Sequence, residues 1–212
     1  MIHRVRLLFA SVVLVAGVTV GIQHVEAETL DLLGVGWDRS PGTVVTVLIK
    51  AAGGVTPQAI LDVEAAVEDW NTVLRQVNGP ELQLVSGVKK ADITIQMKVG
   101  GGVTLGSAGS RTISPFACEL SNASIQLSGK AFGAALSSTG TRNVARHEIG
   151  HALGLGHSDD EDDLMYPTFE AQQVVDNIDR PISQCDKKGL EAIYPLPTTC
   201  NAIAIPDSIS CP

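Results

Sequence analysis

Eleven residues, His147-Glu148-Ile149-Gly150-His151-Ala152-Leu153-Gly154-Leu155-Gly156-His157, restrict this 212-residue chain more than any other segment. On an α-helix each residue turns about 100°, so His147 and His151 lie about 40° apart, one turn along the same face. Two imidazoles so placed can reach a single metal ion. Glu148 points in a neighbouring direction, beside the metal, where a general base for a metal-bound water belongs. His157 cannot join them from the same helix, because ten further residues carry the axis about 15 Å away. The chain must therefore turn back. Gly154 stands where a helix C-terminus takes a left-handed residue, and Gly156 adds further freedom. Three neutral imidazoles leave the fourth position of a tetrahedral zinc site open. A satisfied core histidine could account for one of the three, but not for all of them in this pattern.

The chain has five histidines. The other two, His3 and His24, fall in a segment that reads as an address. Arg4 and Arg6 give residues 1–27 a basic start, Leu7 to Ile22 is apolar and uncharged, and Val25 and Ala27 are small residues at the positions a signal peptidase reads. The apolar run is short for a membrane span, which needs about 20 residues. The expectation is a cleaved signal peptide over residues 1–27 and a secreted protein. An uncleaved anchor with the rest of the chain outside is the alternative, and the only route to a membrane. One domain over 28–195 that carries the histidine segment and an irregular tail over 196–212 complete the expected organisation.

The chain is acidic, with a formal net charge of −8 and no basic run, which excludes a phosphate-tracking nucleic-acid binder. Export favours disulfides among Cys118, Cys185, Cys200 and Cys211. Four cysteines allow three connectivities; Cys200 and Cys211, which bracket a short tail, are the favoured pair. The run Asp159–Asp163 offers hard oxygen ligands, so Ca²⁺ is one reading. Its spacing fits no EF-hand, and a solvated acidic loop is preferred. Asn122-Ala123-Ser124 is a glycosylation sequon that carries little information alone.

Thr43 to Lys50 reads as a β-branched strand. Thr56 then caps a helix with Pro57 at its first position. Ile60, Val63, Val67, Trp70 and Leu74 form one apolar stripe along it, and Asn78-Gly79-Pro80 ends it. Leu82–Val85 and Ala91–Lys98 read as strands, Val99–Ser110 as a glycine-rich surface loop, and Ala123–Ser128 as a short edge strand. A second helix spans Thr141 to about Leu153, and a third runs from about Ser183 to Tyr194. Strand, helix, strands, helix, loop and helix in that order give an α/β or α+β layered domain.

HEIGHALGLGHS followed by LMYP resembles the metzincin clan of zinc peptidases and, within it, the matrixin family. Met165, eight residues after His157, falls where the clan has its Met-turn. The helix Thr56–Gln76 with Trp70, the strand Ala91–Lys98, and the Ser183-Gln184-Cys185-Asp186 segment through Gly189 and Tyr194 resemble matrixin segments in the right order. The likeness covers residues 37 to 195. It implies a twisted mixed sheet with three main helices and an active-site cleft, a Zn²⁺ cofactor on His147, His151 and His157, Glu148 as catalytic base, and Met165 as support beneath the metal. There are departures. No cysteine-switch segment or haemopexin-like domain is seen, and no further histidines exist for a structural zinc. Cys185 replaces an aspartate usual in the family. With Pro167 two residues after Met165, Tyr166 is not expected to bind metal.

The resemblance further implies a zinc endopeptidase acting on protein or peptide substrates. The substrate should lie extended along Ala123–Ser128, and the residue after the cleaved bond should enter a pocket walled by Pro167, Thr168 and Phe169 with Asn143 at its floor. A monomer is expected. Asn143 could instead merely help to start its helix. A zinc-binding protein with a silent site and a metal carrier are the competing functions; the intact Glu148 argues against the first.

Overall fold

The computed structural model describes residues 27–38, 40, 42–101, 104–113, 118–131, 133–168, 178–194 and 205–211. Residues 1–26 of the expected signal segment, Phe169 and Cys200 lie outside them.

In chain order the elements are β1 (Thr29–Leu32), β2 (Val44–Ala51), α1 (Pro57–Leu74), β3 (Glu81–Val85), β4 (Ile93–Met97), β5 (Gly106–Thr112), β6 (Leu120–Leu127), the short pair β7 (Lys130–Ala131) and β8 (Ala134–Ala135), α2 (Ser138–Ala152), β9 (Leu155–Ser158), α3 (Gln184–Ile193) and β10 (Ser208–Ser210). A five-stranded sheet has the order β3-β2-β4-β6-β5. Its first four strands pair in parallel, and β5 closes the edge antiparallel to β6. The fold is thus the expected mixed α/β domain, with three helices among the described residues.

α1 begins as its sequence dictates. Thr56 accepts the Ala59 N–H and Pro57 occupies the first turn, where its missing donor costs nothing. The stripe Val63, Val67, Trp70 and Leu74 is buried. Asn71 grips β3 on both sides: its Oδ1 accepts the Leu82 N–H at 2.8 Å and its Nδ2 donates to the Leu82 carbonyl at 2.9 Å. Trp70 Nε1 donates to the Arg146 carbonyl at 2.8 Å, which fixes α1 against α2. α2 starts at Ser138 under a Ser137 cap. Asn143 therefore sits in its second turn and has no role in starting it.

Four expectations need correction. The glycine-rich stretch contains a real strand, β5, over its second half. Consequently Ala123–Ser128 is no edge: β6 is paired on both sides, by β4 and by β5. The end of the chain, expected to be irregular, supplies β10, which pairs with β1 in a small sheet of order β10-β1-β9. The favoured Cys200–Cys211 pairing is also replaced, because Cys185 is bonded to Cys211. Strand pairing carries Cys211 to the start of α3, and sequence proximity did not decide the partner. Cys118 is disulfide-bonded as well. Among the described residues no helix is long and apolar enough to cross a membrane.

Candidate metal centre

His147 and His151 project from the last turns of α2, and His157 comes from β9 after the turn. One ring nitrogen from each lies within 4.8 Å of the others. Gly154 makes the reversal, with φ of +107°, a left-handed conformation that only glycine adopts freely. Gly156 acts differently from expectation. It lies in β9, and a Cβ there would meet the Asp31 side chain at 2.7 Å and its backbone at 2.9 Å. Its contribution is close strand approach, and its conformational freedom is unused.

The imidazoles are oriented from behind. His147 Nδ1 donates to the Leu164 carbonyl at 2.8 Å and His151 Nδ1 to the Leu155 carbonyl at 2.9 Å. A carbonyl only accepts, so each Nδ1 carries the proton and each neutral ring presents a bare Nε2. Those two Nε2 atoms face each other at 3.1 Å. Two lone pairs so close repel, whereas a shared cation would attract both. Burial, and then the neighbouring His151, drive the His147 pKa down to about 3; burial also lowers those of His151 and His157. The rings are thus held in the neutral form that ligates metal. The donor set fits zinc.

Glu148 is buried, and its Oε2 has no hydrogen-bond partner among the described residues. Burial raises its pKa to about 7. Gly106, at the start of β5, packs directly on it: a Cβ there would meet the carboxylate oxygen, with Cγ at only 2.6 Å. β5 is therefore both the sheet edge and a wall of the site. The sequence reading missed it, and the glycine run was the only signal present. Met165 is fully buried beneath α2, its sulfur 2.6 Å from where a Gly150 Cβ would stand, so Gly150 is required by Met165. The Met165 carbonyl accepts the Ser158 N–H at 3.0 Å, linking this turn to the strand that bears His157.

The other expected pocket residues divide. Pro167 and Thr168 are exposed after the Met165 turn. Asn143 is buried, with its amide engaged: Nδ2 donates to the Ile178 carbonyl at 2.7 Å, and Oδ1 accepts the Arg180 N–H at 3.1 Å. Its polar atoms anchor the returning chain at 178–180. Arg146, also buried, reinforces that anchor with ion pairs of 2.6 Å to both Asp69 and Asp179. Burial works against the Asp69 carboxylate, yet hydrogen bonds from Arg142 and Arg146 hold its pKa below the usual range.

The acidic run organises its own loop. Asp159 accepts the Thr29 N–H, Asp160 that of Asp162, and Asp163 that of Met165. Behind it, Asp163 Oδ2 and Asp186 Oδ1 are buried and accept no hydrogen bond within 3.5 Å among the described residues. Glu28 accepts the Ser158 hydroxyl at 2.9 Å; burial, with Asp163 and Asp160 nearby, raises its pKa to about 7. Asp186 is likewise raised by burial and by Asp163. A carboxyl whose folded pKa is raised binds its proton more tightly when folded. Its stabilising contribution is complete below about pH 4.5 and disappears as pH rises toward 7. Glu28→Gln should therefore raise Tm at pH 8 by about 2 °C or more and leave it unchanged at pH 4. The melting curves should be recorded on a chain that retains Ala27, so that no terminal amine joins the cluster. An equal shift at both pH values would contradict the assignment.

The matrixin family model matches residues 56–195. Among curated proteins, the chain is 49% identical to matrix metalloproteinase-27 of Tupaia belangeri over 57 residues, which is 26% of this chain and 10% of that protein. It is 38% identical to stromelysin-2 of Rattus norvegicus over 63 residues, 30% of this chain and 13% of the relative. Against matrilysin of Homo sapiens it is 44% identical over 51 residues, 24% of this chain and 18% of the relative. The matched segments thus span only a small part of these relatives' lengths. The family match, by contrast, extends over most of the chain and takes in α1, the strands β3, β4, β5 and β6 of the five-stranded sheet, all three histidines and α3, so the chain belongs to the matrixin family of metalloendopeptidases.

Proposed function

We propose that this chain is a secreted zinc endopeptidase that cleaves extended protein segments, with His147, His151 and His157 as the metal ligands and Glu148 as the general base. The observation that carries this reading is the pair of unprotonated Nε2 atoms 3.1 Å apart on α2, with, on the same helix, a buried Glu148 oxygen that has no hydrogen-bond partner among the described residues. Zinc, when bound, polarises the scissile carbonyl and makes water a better nucleophile near neutral pH. Glu148 takes the proton of the attacking water at its free oxygen and passes it to the leaving amine. The raised pKa suits a group that must first accept and then donate near pH 7. β5 takes over the role expected of Ala123–Ser128: as the edge strand it offers backbone groups to an extended substrate. Gly106 brings that strand against Glu148. Met165 supports the site from beneath the histidine-bearing helix.

The residue after the cleaved bond enters between α2 and the segment following Met165, with Pro167 and Thr168 in its wall. Asn143 fixes the far end by holding residues 178–180. Burying a Leu or Met side chain there contributes about 1.5–3 kcal/mol, enough for roughly tenfold preference over Ala. A peptide library read by mass spectrometry should show cleavage before Leu, Ile, Met or Phe and little before Asp or Glu. A profile dominated by small or acidic residues at that position would overturn the pocket assignment.

A further inference from the structure

The three histidines are not held alike. His147 and His151 stand on α2, which is locked into the core by Trp70 and by the carbonyls of Leu164 and Leu155. His157 is exposed. It sits on the four-residue β9, whose one strand partner among the described residues is β1. The register pairs Leu30 with Ser158 and Leu32 with Leu155, on either side of His157. β1 is in turn held along its other edge by β10, with Leu30 opposite Ile209.

Further bonds tie these strands together. The Leu32 N–H donates to the Asp207 carbonyl at 2.8 Å and the Cys211 N–H to the Glu28 carbonyl at 2.7 Å. Thr29 N–H reaches Asp159, and Ser158 reaches Glu28. The Cys185–Cys211 disulfide then fastens the end of β10 to the first turn of α3. α3 lies so close beneath that a Cβ on Gly189 would meet Leu155 at 2.7 Å and Leu30 at 2.8 Å. Both β1 and β10 lie outside the span matched by the family model.

We propose that β1 and β10, latched by Cys185–Cys211, form a brace that positions His157, so that retention of the metal depends on these two strands. This rests on the reading of the three histidines as zinc ligands. With the latch open, β10 is no longer tethered to α3 and β1 loses support along one edge. β9 then keeps the Met165 carbonyl on its Ser158 N–H, but its one strand pairing is poorly supported. α2 still carries His147 and His151, although the carbonyl that orients His151 belongs to Leu155 at the start of β9, and His157 is no longer fixed.

Two variants test the brace by different routes. Cys185→Ser with Cys211→Ser removes the latch. Ile209→Pro keeps the disulfide but removes the donor opposite Leu30. Leu82→Ala, in β3 at the far edge of the large sheet, is the control: it lowers stability by opening a core cavity without touching β9. Zinc release to a chromophoric chelator is timed at 25 °C, below every variant's unfolding transition, and the visible spectrum of the cobalt(II) form reports the ligand set. Either brace variant that folds should release zinc about tenfold faster than wild type or more, with weakened cobalt absorption. Leu82→Ala should match wild type in both. For the folded wild-type holoprotein, phosphine reduction should produce thiols at 185 and 211 before zinc leaves. Wild-type release rates in the brace variants, equal acceleration in Leu82→Ala, or unchanged zinc retention after the bond at 185 and 211 is reduced would overturn the proposal. A wild-type chain that binds no zinc would instead overturn the histidine-ligand reading itself.

Discussion

Glu148→Gln should lower kcat/KM for peptide cleavage by about 10²–10⁴-fold while leaving one zinc bound per chain. The substitution keeps the side chain's shape against Gly106, where no larger residue fits. It removes only the capacity to accept a proton. The three imidazoles are oriented by the Leu164 and Leu155 carbonyls and by β9, and none of these contacts involves Glu148. Metal affinity should therefore persist when catalysis does not. Kinetics at several substrate concentrations should place most of the loss in kcat, because a proton acceptor acts in the transition state and adds little to ground-state binding. Zinc content by elemental analysis, with kcat/KM from the same samples, checks both halves. Peptidase activity within a few-fold of wild type would remove Glu148 from its role.

Gly154→Ala should be the most damaging single change to the framework. Its φ of +107° is strained for any side chain. An added Cβ would also overlap the carbonyl oxygen of Val35 and come within 3.2 Å of Ile193 Cδ1. The obstructing atom is backbone, so relief requires moving the segment whose Leu33 N–H bonds the Gly154 carbonyl at 2.9 Å. Strain and overpacking together cost about 3–5 kcal/mol, a large share of a typical domain's stability. Tm should fall by roughly 10 °C or more, and zinc binding should weaken because the same turn aims His157. Gly53→Ala, with open space around it and no left-handed φ, should change Tm by no more than about 2 °C. Similar melting temperatures for the two alanine variants would contradict this account of the turn.

The histidine constellation was legible because its geometry is local: helical spacing and one left-handed glycine suffice to derive it. The same holds for α1, whose cap, first-turn proline and apolar stripe all fall within one segment. β5 was hidden because its residues, Gly106 to Thr112, include two glycines and hardly any β-branched side chains. Its extended form comes from pairing with β6, a neighbour that periodicity cannot reveal. That omission displaced the substrate edge by one strand. β1 and β10 escaped for a related reason. Each is three or four residues long, and their contact joins the two ends of the described chain. The Cys185–Cys211 bond follows from that contact, so no rule of sequence spacing could find it. Asn143 was singled out as the pocket floor, but the partners of its amide could not be read from the sequence. Those partners, Ile178 and Arg180, lie more than thirty residues away.

The central claim is that a metal on His147, His151 and His157 makes this chain a peptidase. Its most direct test is reconstitution. The chain is stripped of metal with a strong chelator and returned to chelator-free buffer, and zinc is titrated in while cleavage of an extended peptide is followed. The account predicts no cleavage by the apoprotein, recovery that rises in proportion to added zinc, and a break at one equivalent per chain. Cleavage that survives complete metal removal, or a chain that holds a full equivalent of zinc on these histidines and still cleaves nothing, would contradict it.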